Sequence, residues 1–104
     1  MPMPVIEGLR VKNQKVGEVV IYITGQPWGN RIKFVIADIA VRKPRARKFR
    51  SVTEQVKESY RYRCLETEGE RRSFLAEEYL RYVTEAQVEE ALLCAWEMCR
   101  PQIA

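Results

Sequence analysis

The chain has 104 residues, with 18 Lys and Arg against 14 Asp and Glu, a net charge of +4. Apolar residues make up 46% and charged residues 31%, a globular mix that excludes collagen-like, low-complexity and intrinsically disordered chains. There is no His and a single Asp, Asp38, which removes Ser-His-Asp and Cys-His triads and His-held zinc or haem, and disfavours a two-metal phosphoryl-transfer site.

The length suits one small domain over residues 1–104. The opening Met-Pro-Met-Pro-Val-Ile-Glu lacks the basic and long apolar regions of a signal peptide. A short strand is expected over Leu9–Lys12, with Asn13-Gln14-Lys15 as its turn. The next runs over 16–24, where Val19, Ile21 and Ile23 share one face and Glu18, Tyr22 and Thr24 the other. Gly25-Gln26-Pro27-Trp28-Gly29-Asn30 reads as a turn cluster, giving a hairpin loop longer than two residues. A strand over 31–42 follows. Its apolar residues change phase, from Ile32, Phe34 and Ile36 to Val35, Ala37, Ile39 and Val41, which implies a bulge or burial on both faces.

The second half reads as helices. Ser51-Val52-Thr53-Glu54 matches a capping box, and Val52, Val56, Tyr60 and Cys64 recur every fourth residue as one apolar stripe. Gly69 interrupts, and a second helix is expected over about 70–82, with Leu75, Tyr79 and Tyr82 on one face and Phe74 beside them. Thr84-Glu85-Ala86-Gln87 is a second capping-box match. It opens a helix whose apolar stripe runs through Val88, Ala91, Leu92, Ala95, Trp96 and Cys99, with Leu92 and Trp96 at its centre and Pro101 as its stop. Strands followed by helices predict an α+β fold, an N-terminal antiparallel hairpin or three-stranded meander packed against about three C-terminal helices.

Charge divides the same way. Residues 1–50 hold eleven cations and three carboxylates; residues 51–104 hold seven and eleven. A basic β half thus precedes an acidic helical half, an asymmetry that can mark a polyanion-binding face. Its sharpest feature is the strand-to-helix linker, where Arg42, Lys43, Arg45, Arg47, Lys48 and Arg50 crowd nine residues with no acid among them. Arg forks and Lys point charges bind phosphates, and Phe49 could stack on a base or anchor the linker to the core. Arg31 and Lys33 on the preceding strand are expected to extend this patch.

Trp28 at the hairpin tip and Tyr62 within Tyr60-Arg61-Tyr62-Arg63 are candidate partner anchors, Trp28 alternatively folding back over the strand ends and Tyr62 covering a helix seam. Asp38, in an apolar run, is expected at the bulge or on the solvent face, paired with an Arg. Cys64, Cys94 and Cys99 have no CxxC spacing and read as buried structural thiols in a reducing compartment. Uninterrupted apolar runs such as Val19–Ile23 are far short of the roughly 20 residues a bilayer requires. The sequence therefore predicts a cytoplasmic, non-enzymatic nucleic-acid-binding accessory or regulatory protein without metal, cofactor or membrane. The alternative is a protein-interaction module, a homodimer or an inhibitor or adaptor docking onto a nucleic-acid-processing machine.

Overall fold

The structure, a computed structural model, describes residues 5–103, with side chains as far as Met98. Strands β1 (Ile6–Asn13), β2 (Gly17–Trp28), β3 (Arg31–Arg42) and β4 (Arg50–Ser51) form an antiparallel sheet in the order β1-β2-β3-β4. Helices α1 (Val52–Lys57), α2 (Tyr60–Arg63), α3 (Glu68–Tyr79) and α4 (Glu85–Ile103) follow. The α+β arrangement is the expected one, with four strands and four helices.

Register puts the β-branched residues to use. Leu9, Ile21 and Ile39 lie side by side across three strands, and Val11, Val19 and Val41 form the next row. This face carries the core, in which Val19, Ile21, Ile23 and Ile39 are fully buried against Val52, Val56, Tyr79, Val83, Ala91 and Ala95 from the helices. α4 crosses the sheet closely. A Cβ at Gly8 would lie 2.9 Å from Ile23 Cγ1 and 3.1 Å from the Ala91 carbonyl oxygen. So tight an approach places the small Ala91 and Ala95 at the centre of the contact. Leu92 is half-buried beside them and Trp96 is largely exposed.

The phase change in β3 is a bulge. Tyr22 pairs with Asp38 and Ile23 with Ile36, which leaves Ala37 as the extra residue. The expected long loop is not formed, because β2 runs through the Gly- and Pro-containing cluster to Trp28, and only Gly29 and Asn30 connect the strands. Gly29, with φ of 59°, occupies the first loop position, the requirement of a type II′ hairpin. Pro27 is tolerated because, among the described residues, β1 pairs no further than Ile23, which leaves that edge of β2 open beyond this point. The ribbon 24–35 extends past the other described strands.

The first predicted helix is broken. Ser59 Oγ donates to the Val56 carbonyl at 2.6 Å and accepts from the Tyr62 amide at 3.3 Å, so it ends α1 and caps α2. This shifts the helical phase. Tyr60 and Cys64 leave the stripe for solvent, Tyr60 being 82% exposed, while Tyr62 turns inward. Thr67 caps α3 at the Glu70 amide (3.1 Å), and Gly69 lies inside that helix's first turn. The Thr84–Gln87 box forms in both directions, at 2.9 and 3.1 Å. α4 continues past Pro101 to Ile103. Cys94 is partly buried, Cys64 is exposed rather than buried, and the side chain of Cys99, like residues 1–4, lies outside the described residues.

Candidate nucleic-acid interface

The linker begins with a turn. The Ala46 amide donates to the Lys43 carbonyl at 3.0 Å, Pro44 takes the second position, and Arg45 the third with φ of 71°. That is the type II pattern, whose third position favours Gly or Asn. An Arg there carries backbone strain of about 1–3 kcal/mol. The chain then doubles back, and Arg50 and Ser51 pair with Val41 and Ala40 as β4, a two-residue strand with too little sequence pattern to be foreseen. Ser51 Oγ accepts from the Glu54 amide at 3.1 Å and starts α1.

Asp38 fixes this start. Its Oδ1 accepts from the Ile39 amide at 2.7 Å and from the Thr53 amide at 3.2 Å. The Thr53 hydroxyl is hydrogen-bonded to the Tyr79 phenol, and burial pushes the phenol pKa up. The carboxylate at the bulge is thus met by backbone donors, one from β3 and one from α1, rather than by the expected Arg. This network ties β3, α1 and α3 together and leaves Asp38 no part in a surface site.

The six linker cations separate into two groups. Arg42 is bound to Glu18, which Arg10 also engages at 2.6 Å. Hydrogen bonding from Arg10, and then from Arg42, holds the Glu18 carboxyl below its usual range. The guanidinium carbons of Arg10 and Arg42 lie 5.6 and 5.2 Å from the centroid of the Phe49 ring. By register Arg10, Val20 and Ala40 share a row on the face opposite the core, and Glu18 and Arg42 share the next. Val20 is fully buried there although it stands outside the core cluster. Phe49 and its two cations form a lid on this second face. Phe49 is therefore neither a free stacking surface nor a core anchor, and Arg42 is committed to the fold.

Lys43, Arg45, Arg47, Lys48 and Arg50 are all exposed, and among the described residues none of them makes an ion pair. Lys43, Lys48 and Arg50 line a pocket of about 200 Å³ together with Gln55 and Tyr82, over a floor that includes the buried Val41 and Val52. A second cavity of about 310 Å³ shares Val52, Gln55 and Tyr82 with it and brings in Arg61 and Arg81. The two make one trough. Arg61 stacks on Phe74 at 5.5 Å, and Arg81 pairs with Glu78 at 3.2 Å.

The remaining candidates lie elsewhere. Arg31 and Lys33 are at the opposite end of β3, nine to eleven residues from Arg42, or roughly 30–35 Å along an extended strand. They do not extend the linker patch. Trp28 is 65% exposed, with Lys33 Nζ 4.9 Å above its ring, so it does not fold back over the strand ends. Tyr62 meets Phe74 edge-on, centroids 6.3 Å apart, and is a seam residue between α2 and α3. Gln55 and Tyr82 were missed by the sequence reading, because only the fold brings α1 and the α3–α4 turn against the linker. Among the described residues no three Cys, Asp or Glu side chains group as a metal site, and no described helix is long and apolar enough to cross a membrane.

Comparison with protein-family models, curated proteins and solved structures finds no match to this chain. The surface is read from its own chemistry.

Proposed function

We propose that the protein is a small non-enzymatic nucleic-acid-binding factor whose linker 43–50 contacts phosphates. One observation carries this reading: five cations crowd one exposed segment of eight residues with no acid among them, and among the described residues none of the five makes an ion pair. An unneutralised cluster of this kind attracts a polyanion by counterion release and needs no preformed base-reading site. The strained Arg45 supports it, since an exposed turn keeps an Arg where Gly would be relaxed.

Five cations on a bent segment cannot all reach one backbone. About three to five contacts, helped by Arg61 or Arg81, predict a log–log salt slope of roughly −2 to −4. Replacing Arg45, Arg47 and Lys48 with Gln is expected to flatten that slope and weaken all sequences alike, with melting unchanged, since the three side chains are exposed. Titration of single-stranded and duplex oligonucleotides across a salt series checks it. Absence of binding by wild type at low salt rejects the reading.

The exposed Trp28 supports a second reading, a protein-interaction module. Beside it a groove of about 640 Å³ lies between the ribbon and the helices, lined by Phe34, Ile36, Leu75, Leu92 and others. In its homodimeric form, wild type sediments as a dimer and Trp28→Ala as a monomer. The melting point of Trp28→Ala is expected to stay within about 3 °C, less than 1 kcal/mol in a domain this size. A wild type that sediments as a monomer removes the homodimer.

A further inference from the structure

The basic pocket differs in kind from the linker that forms its rim. A backbone-tracking surface is open at both ends, because an internal phosphodiester leaves a nucleoside on each side. This pocket is compact, and at about 200 Å³ it has room for a phosphate group. Its charge is also excessive for a diester. Lys43 comes from the turn, Lys48 from the returning linker and Arg50 from β4, so three cations converge from three segments. None of the described residues lining it is acidic. A diester carries one negative charge, whereas a phosphate monoester carries about 1.5 to 2 near neutral pH, with three free oxygens for charge-assisted hydrogen bonds. Gln55 and Tyr82 add neutral polar groups to the wall, and Val52 adds an apolar floor.

We propose that this pocket seats a terminal phosphate monoester, with Lys43, Lys48 and Arg50 as its counter-charges, so that the protein prefers phosphate-ended strands. The proposal rests on the nucleic-acid reading above for the source of the phosphate, and a free nucleotide offers the same chemistry. From the pocket the strand continues into the trough beyond Tyr82, toward Arg61, with Glu78 and its partner Arg81 on the same cavity wall.

The test compares fluorescently tagged single strands of one sequence that end in a 5′-phosphate, a 3′-phosphate or hydroxyls alone, at fixed salt. A phosphate-ended strand is expected to bind about tenfold more tightly than the hydroxyl-ended one. Inorganic phosphate should compete that advantage away in the wild-type protein, a readout that needs no variant. Lys48→Gln with Arg50→Gln should weaken hydroxyl-ended binding as well, since both residues lie in the linker 43–50, but should bring phosphate-ended and hydroxyl-ended strands to equal affinity within the variant. Equal affinity for all three strands overturns the pocket proposal and leaves the nucleic-acid reading standing. A preference that survives in the double variant overturns the assignment to this pocket. If no strand binds but a nucleoside monophosphate does, and the double variant loses it, the pocket stands with a free nucleotide as its ligand and the strand reading falls. If neither binds, both fall.

Discussion

Ile21→Ala is expected to destabilise the fold by about 3–5 kcal/mol, the upper part of the range for truncating a fully buried aliphatic side chain. Ile21 is wholly buried on the middle of β2, with Leu9 on one side and Ile39 on the other, beneath the helices. β2 is paired on both edges at this row, so its backbone cannot collapse into the space left behind. Total stability for a domain of this size is about 5–15 kcal/mol, so a large share is lost. Leu92→Ala makes the contrast. Leu92 is half-buried beside the Ala91 and Ala95 contact, and its truncation is expected to cost only about 1–2 kcal/mol. Urea unfolding of both variants decides the order. A larger midpoint shift for Leu92→Ala would mean that α4 packs through Leu92, contrary to the Gly8–Ala91 approach.

That contrast also marks where the sequence speaks and where it does not. Period-two alternation located β2 and β3 because one face of each carries the core, and the phase change pointed to a bulge or to burial on both faces, of which the extra residue Ala37 is the bulge. The Ser51 and Thr84 caps were legible because capping is local chemistry. Helical periodicity alone was a poorer guide. It identifies the apolar side of α4 but not which residue meets the sheet, since that depends on a glycine more than eighty positions away. The break at Ser59 was carried by one side chain that both donates and accepts, which the stripe Val52, Val56, Tyr60, Cys64 concealed. The Thr67-x-x-Glu70 cap was readable by the same rule as Thr84 and would have set the start of α3 correctly.

The basic segment was legible as charge but not as geometry. Composition picks out six cations and cannot say that Arg42 is spent on Glu18 and Phe49. Nor can it say that β4 turns Arg50 back against Val41, so that Lys43, Lys48 and Arg50 face one cavity. Proximity along the chain suggested that Arg31 and Lys33 belonged with them. An extended strand separates residues faster than any other regular structure, which is why that expectation failed.

Gly17→Ala is expected to link stability to the candidate site. Gly17 opens β2 opposite Asn13, with φ of 106°, a conformation L-residues rarely adopt. A Cβ there would lie 2.2 Å from the Arg42 carbonyl oxygen and 3.0 Å from the Lys43 Cα, both backbone atoms that cannot rotate away. The end of the β2–β3 ladder would have to open at the residues from which the linker departs. The combined conformational and steric cost is about 2–4 kcal/mol. The same displacement moves Lys43 relative to Lys48 and Arg50, so any preference for phosphate-ended strands should be lost even below the melting temperature. Gly29→Ala is the control. Its φ is also positive, at 59°, but an added Cβ would meet nothing within 4 Å. It is expected to cost about 1–3 kcal/mol, the positive-φ penalty without the clash, and to leave strand binding as in wild type. Denaturant unfolding and strand titration on both variants separate the two effects. If Gly17→Ala is no worse than Gly29→Ala in stability, the close approach to Arg42 is absent. If it is destabilised but keeps the end preference, the linker is held by β4 and not by the ladder at Gly17.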